Sequence, residues 1–427
     1  MRVKAAIRGR TPQKERFLTG TFDMQIQPVL AALRRHRLAT ILIAMEIALA
    51  CAVLCNACFL IASRIQMTHV DSGVDESSLA TIKLTGYDEA KASDLNARVT
   101  SGLREIPGMQ SVSVINEVPF GETAGNAGIT LDSAGQKFAG VVDFYVAGPG
   151  NFEALGLQLI SGRAPRADDF QPMKAFLPLS ANVIVSRSLA EHLWPDTDPL
   201  GKEFWCGDFH FRVTGVVAHL ARPSAGEGGP GTIEWSVFTP AQPGANLSGV
   251  YLLRADPAQL PRVLRDARAA IAKLAPDAVV EQQASQTIGD LRQVYFRQDR
   301  IMAGMLLGVI VALLLVTALG IVGLASFWVQ QRRRQIGIRR AIGATRGDIL
   351  RYFQTENFLI VTSGIALGML LAYALNLLLM TQYELPRLPL YYLPAGALIL
   401  WGLGQLAVLG PALRAAAVPP VVATRSG

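Results

Sequence analysis

The chain has 427 residues, 51% of them hydrophobic and only 17% charged, with a mean hydropathy of +0.31. Soluble domains carry about 25% charge, so the deficit points to membrane spans rather than to an all-soluble enzyme. The net charge of +7 gathers in residues 2–37 and 332–351 without interleaved aromatics, which argues for topology and anionic lipid and against nucleic acid.

Residues 1–37 form a basic amino-terminal segment. The first apolar run, 38–63, is interrupted by Glu46 and Asn56 and is long enough to cross a bilayer. Its basic leader and long apolar core are unlike a signal peptide, so a retained helix is expected. Ala48-Leu49-Ala50-Cys51 only faintly resembles a lipoprotein cleavage site. Cys51, Cys55 and Cys58 read as small hydrophobes, and Glu46 as a carboxyl that is protonated, paired in a dimer core, or part of a proton relay. No metal site is expected, since the histidines at 192, 210 and 219 have no zinc spacing and only Cys206 offers a thiol near one. No catalytic motif is visible.

Residues 64–300 read as a large α+β domain. Strands are predicted at 79–84, 109–116, 138–146, 182–186, 211–217, 233–238 and 249–253, and helices at 89–106, 188–193 and 257–274. A Gly-rich stretch, 226–231, reads as a flexible loop. Residues 285–300 are expected to be helical and to run directly into the second span, 301–329. A third span is predicted at 357–380, a short outer turn at 381–387 and a fourth span at 388–413, followed by a tail at 414–427. GxxxG spacings occur at Gly304/Gly308 and Gly364/Gly368. Basic flanks put both termini and the 330–356 segment in the cytoplasm and the large domain outside.

The 330–356 segment combines Arg332, Arg333, Arg334, Arg339, Arg340, Arg346 and Arg351 with Ile336, Ile338, Ile342 and Ile349; Asp348 is an acidic residue within it. Helix formers run to Ile342, Gly343 is placed to end that helix, and Thr345 with Asp348 has capping-box spacing for a second helix leading into the third span. Two readings fit: an amphipathic helix lying on anionic lipid, and a coupling helix held by a cytoplasmic motor.

The stretch Arg334-Gln335-Ile336-Gly337-Ile338-Arg339-Arg340-Ala341-Ile342-Gly343-Ala344 resembles the signature of FtsX-like permeases of ABC transporters. The similarity continues through 348–356 and resumes at Pro411-Ala412-Leu413-Arg414-Ala415-Ala416 and over 419–425. Residues 185–202 (VSRSLAEHLWPDTDPLGK) and 211–217 resemble the MacB-type periplasmic core domain, and the order of one helix, domain and three helices is the MacB order. The resemblance implies a bacterial inner-membrane permease whose outer domain has porter-like (about 75–145 and 247–286) and Sabre-like (about 150–242) parts. It implies ATPase contact through Gln335, Ile336, Gly337, Ile338, Arg339, Arg340, Ala341, Gly343 and Ala344. Gln335 stands where the family usually has Glu. No G-x-x-x-x-G-K-[ST] occurs, so ATP and Mg are expected on a separate ABC ATPase and no cofactor on this chain. The implied partners are that ATPase, a second permease copy or sister permease, membrane lipids, and a periplasmic adaptor with an outer-membrane duct. The implied function is export by mechanotransmission; a signalling or envelope regulator of the FtsX type and a lipoprotein-releasing permease are the alternatives.

Overall fold

A computed structural model of the chain describes residues 37–122, 124–224, 231–383 and 387–418. The amino-terminal basic segment, most of the Gly-rich stretch, part of the outer turn and the motif at 419–425 lie outside the described residues. The chain divides into two compact units: residues 1–64 with 301–427, and residues 65–300.

Among the described residues, the membrane unit has four helices long and apolar enough to cross a bilayer. They are α1 (Arg37–Thr68), α7 (Arg297–Gln331), α9 (Arg346–Tyr383) and α10 (Tyr392–Ala416), with the short α8 (Arg333–Ala341) between the second and third. The first three extend beyond their predicted apolar cores at both ends, because amphipathic turns prolong the helix, whereas α10 starts at Tyr392 rather than 388 and runs on to Ala416. The greatest difference is at α9, which begins 11 residues before the predicted third span. Their shared core joins Ile47, Cys51, Leu54 and Cys55 of α1 to Ile310 and Ile321, Val361 and Ile365, and Ala397 and Leu400. With no water to compete, close packing and interhelical hydrogen bonds hold such helices together. Asn56 Nδ2 donates to Ala372 O at 3.1 Å, Asn357 Nδ2 to Gly404 O at 2.8 Å, and Trp401 Nε1 to Thr362 Oγ1 at 3.1 Å.

The two GxxxG pairs separate in role. A Cβ on Gly364 would lie 2.9 Å from Ala44 O, and one on Gly368 would lie 2.7 Å from Ala48 O, so these glycines let α9 approach the α1 backbone. Gly304 and Gly308 have nothing within 4 Å at the same position. Glu46 lies against Gly320 of α7: a Cβ there would fall 2.7 Å from its Oε2, and its Oε1 is buried without a hydrogen-bond partner among the described residues.

The unit of residues 65–300 is α+β and holds two sheets. The four-stranded one has the order β11-β1-β10-β2, built from β1 (Leu79–Thr85), β2 (Met109–Val114), β10 (Val250–Ala255) and β11 (Val279–Val280), all antiparallel. Strand alternation sends Ala80 and Ile82 of β1 and Tyr251 and Leu253 of β10 to one face. There they meet Leu95 and Val99 of α2 (Ala92–Arg104) and Val263, Leu264 and Ile271 of α5 (Leu260–Leu274). Leu79, Val250 and Leu252 point to the opposite face and pack with Ile288 and Leu291 of α6 (Ile288–Tyr295). A strand buried on both faces shows little polar alternation, which is why β10 begins with the unbroken apolar run Val250-Tyr251-Leu252-Leu253.

The seven-stranded sheet has the order β5-β8-β6-β9-β4-β3-β7. Its strands are β3 (Asn126–Thr130), β4 (Phe138–Ala147), β5 (Leu159–Gly162), β6 (Ser180–Ser186), β7 (Glu203–Cys206), β8 (Phe209–Val217) and β9 (Ser236–Pro240). The pairs β4–β9 and β6–β8 are parallel. Two short helices, α3 (Asn151–Leu155) and α4 (Arg187–Leu193), complete this part. Strands β3, β5, β7 and β11 were not among the sequence expectations: each has five residues or fewer, too short for a clear two-residue period. The division between the sheets also differs from the family-based one. Pairing places both β3 and β4 in the larger sheet, so the change falls between Val114 and Asn126 rather than near residue 145. In the core of this sheet Asp143, 0% exposed, accepts from Arg222 Nε at 2.8 Å and Nη2 at 3.2 Å.

After β2 the chain buries Glu117. Val118 N donates to its Oε1 at 3.0 Å, while Lys83 pairs with Glu122 and, at 3.5 Å, with Glu281. Burial pushes the Glu117 carboxyl up to about 7, against the opposing effects of the Val118 N–H and of Lys83. A carboxyl raised in the folded state binds its proton more tightly than in the unfolded chain. Its contribution to stability is therefore complete below its unfolded value near 4.5 and is lost as pH rises through 7. Melts of the full chain are expected to show a loss of roughly 2–3 kcal/mol from this group between pH 4.5 and 7.5. Glu117→Gln should flatten that part of the profile; an unchanged slope in the variant contradicts the assignment.

Candidate functional site

The basic segment folds as a helix, a turn and a helix start. Arg332 breaks the helical path after α7, and α8 follows immediately. Gly343, at φ +109, supplies the left-handed conformation that ends the α8 region, and Gly343 N donates to Arg340 O at 3.2 Å. The capping box forms as its spacing suggests: Asp348 N donates to Thr345 Oγ1 at 3.2 Å and Thr345 N to Asp348 Oδ2 at 2.9 Å. Such a cap is worth about 1 kcal/mol to the first turn of α9.

Packing divides the residues singled out by sequence into two faces. Ile336 and Gly337 are buried, Ile336 in a small core with Ile349 and Phe353 of α9 and Ala412, Ala415 and Ala416 of α10. Arg340, one turn beyond Ile336, donates through Nη1 to Ala416 O at 2.9 Å and Val418 O at 3.0 Å, satisfying carbonyls at the end of α10. Gln335, Ile338, Arg339 and Ile342 share the opposite, exposed face at spacings of three and four residues. Ile338 is 45% and Ile342 82% exposed. Ala341 and Gly343 are also exposed, and Ala344 packs at the margin of the small core.

Sequence reasoning missed the residue that anchors this arrangement. Glu356, within α9 and 1% exposed, accepts from Arg332 Nη1 at 3.0 Å and 2.8 Å through its two oxygens. Arg332 also lies over Trp328, 5.5 Å from its ring, and Arg339 over Tyr352 at 5.0 Å. The end of α7 is thus tied to the start of α9 beside α8. The available signal was a lone glutamate just before an uncharged span, opposite a run of arginines.

In the other unit, Arg292 of α6 plays a comparable anchoring part. It pairs with Glu76, donates to Thr68 O at 3.1 Å and to Val70 O, and stacks 4.8 Å over Phe120. The helix expected over 285–300 starts at Ile288 and is interrupted at Phe296 before α7 begins. The histidines have separate local partners: His192 stacks on Trp235 at 4.0 Å, His219 faces Glu234 at 2.9 Å and His210 faces Glu203 at 3.3 Å.

Four apolar helices, one α+β domain between the first two, and a basic helical hairpin at one end of the bundle define a membrane protein with an extracytoplasmic domain. Residues 307–420 match the FtsX-like permease C-terminal family. The chain is 24% identical over 423 residues to the macrolide export ATP-binding/permease protein MacB 1/2 of Paracoccus denitrificans, covering 96% of this chain and 59% of that one. It is 24% identical over 347 residues to the ABC transporter permease YknZ of Bacillus subtilis, covering 79% and 83%. Among solved structures, the periplasmic region of MacB from Actinobacillus actinomycetemcomitans aligns at 16% identity over 54% of this chain and 97% of that one, with a TM-score of 0.35. Residues 307–420 thus carry an FtsX-like permease carboxy-terminal domain, and the chain is similar over nearly its whole length to a MacB-type ABC transporter permease while spanning 59% of that relative.

Proposed function

We propose that this chain is the permease subunit of an ABC transporter and converts ATP hydrolysis by a nucleotide-binding subunit into motion of its extracytoplasmic domain, for export. ATP and Mg belong to that ATPase, outside these 427 residues. The observation that carries this reading is the exposed Gln335/Ile338/Arg339/Ile342 face of α8, whose other face is packed onto α9 and α10. Two isoleucines exposed on a helix rimmed by arginine form an apolar contact surface that water does not favour. A push on that face passes into α9 through the small core and into α7 through Arg332 and Glu356. Residues 297–300 at the start of α7 lie in the extracytoplasmic unit. Two permeases, as two copies or as a pair of sister chains, act on either side of an ATPase dimer, and a periplasmic adaptor and outer-membrane duct receive the cargo. Both termini lie in the cytoplasm, and the membrane is the bacterial inner membrane.

The experiment is co-purification of the intact complex from membranes. Ile338→Asp with Ile342→Asp is expected to release the ATPase while leaving the melting temperature of the permease within a few degrees. Both side chains are exposed, so this pair separates contact from folding better than a change at buried Gly337. Retention of the ATPase by the doubly substituted chain overturns the reading. So does co-purification of a hydrolase or sensor kinase in place of an ATPase.

A further inference from the structure

We propose that the groove bounded by the end of α7, Arg333 at the start of α8 and the basic end of α10 is a binding site for the phosphate headgroup of an anionic phospholipid. The groove encloses about 180 Å³, several times the roughly 30 Å³ that one water molecule occupies in the liquid, which is ample for a phosphodiester and its polar substituent. Val329 and Pro411 line its apolar part, and Ser326 and Gln330 supply neutral donors. Arg333 and Arg414 supply the charge. Their neighbours in the basic segment are committed elsewhere: Arg332 to Glu356, Arg340 to the end of α10 and Arg339 to the Tyr352 ring. Arg333 and Arg414 are exposed, and their guanidiniums have no hydrogen bond or ion pair among the described residues. Two unengaged guanidiniums at one groove, with no carboxylate among the described residues that line it, select an anion, and their planar forks suit phosphate oxygens.

The surroundings select a lipid rather than free phosphate. Along α7, Leu319 and Phe327 are 69% and 55% exposed; along α10, Leu406 and Leu413 are 69% and 56% exposed. These apolar side chains are exposed on the same two helices that line the groove and cross the bilayer, where acyl chains lie. A headgroup held by Arg333 and Arg414 therefore has its chains against protein surface suited to them, whereas inorganic phosphate would use the arginines alone. Basic pockets between membrane helices on the cytoplasmic side bind anionic lipid headgroups. The site does not depend on how α8 is used, because Arg333 faces the groove and the exposed α8 stripe lies elsewhere on that helix.

Native mass spectrometry of the full chain, released from nanodiscs containing equal parts phosphatidylglycerol and phosphatidylcholine, tests this. Selective retention of phosphatidylglycerol is expected. Arg333→Gln with Arg414→Gln should weaken that retention about 30-fold, the product of two surface cations. Each single change should weaken it about 5-fold, and Arg333→Lys with Arg414→Lys should keep most of it. Arg334→Gln with Arg346→Gln, which removes equal charge outside the groove, should leave it unchanged. Melting curves identify any variant that has not folded, and the single and lysine variants then decide. Equal retention of the two lipids, displacement of the lipid by millimolar inorganic phosphate, or an equal loss from the Arg334/Arg346 pair overturns the proposal.

Discussion

Glu356→Ala is expected to destabilise the membrane unit by about 3–5 kcal/mol, the usual cost of removing one partner from a buried ion pair. The carboxylate is 1% exposed and the side chain of Arg332 only 12%, so water cannot replace the lost contact. The guanidinium would be left beside Trp328 and Tyr352 with its charge uncompensated. The loss should also be functional, because this pair ties the end of α7 to the start of α9. Stimulation of the partner ATPase by the permease should fall further than the melting temperature alone explains. Glu356→Gln keeps an acceptor for Arg332 and should show a smaller loss. A cycle with Arg332→Met separates pairing from burial: the double variant should lose less than the sum of the singles. Additive singles below about 1 kcal/mol each would show that the pair holds nothing.

A comparable effect is expected in the extracytoplasmic unit from Arg222→Ala. Asp143 is fully buried in the middle of β4, and Arg222, 4% exposed, supplies both of its charged hydrogen bonds through Nε and Nη2. Its removal leaves a carboxylate in the core and a void where the guanidinium lay, at about 3–5 kcal/mol for the pair and more for the lost packing. Domains are commonly stable by only about 5–15 kcal/mol, so unfolding of this unit at growth temperature is a realistic outcome. Asp143→Leu with Arg222→Met should recover most of the loss, since an apolar pair of similar volume avoids the desolvation cost. Thermal or urea unfolding of both variants, followed on the full chain, provides the measurement. A wild-type-like melt for Arg222→Ala would remove this pair from the account of the fold.

The elements legible in the sequence are those whose signal is local and repeated. The spans show as long apolar runs, and α5 shows Leu260, Val263, Leu264, Ala267, Ile271 and Leu274 at helical spacing and buries the first five, with Leu274 partly buried at its end. The Thr345–Asp348 cap was equally readable, because a side chain three residues away from a backbone N–H needs no tertiary context. The same holds for Gly343, whose left-handed conformation ends a run of helix formers. Strands such as β5 and β11 gave no comparable signal, because pairing across the sheet, rather than local propensity, makes them strands.

The candidate coupling site was legible as a segment but not as a surface. The sequence could not say that Ile336 turns inward and Ile338 outward, although one residue separates them. That outcome depends on Arg340 reaching the last carbonyls of α10 and on the small alanines that let α8 settle there. Nor did spacing distinguish Gly364/Gly368, which meet α1, from Gly304/Gly308, where a Cβ would meet nothing within 4 Å among the described residues.

By itself the sequence determined the number of spans, the α+β character of the domain between the first two, and the position of the basic hairpin. Each follows from hydrophobic length, periodicity or a cap, all properties of neighbouring residues. Tertiary structure decided how the strands divide between two sheets, which arginines are paired and which are unengaged, and which face of α8 is presented. Those depend on partners distant in sequence, such as Glu356 for Arg332 and Asp143 for Arg222. In a buried setting the cost of leaving a charge without its partner selects one arrangement, and no local pattern records it.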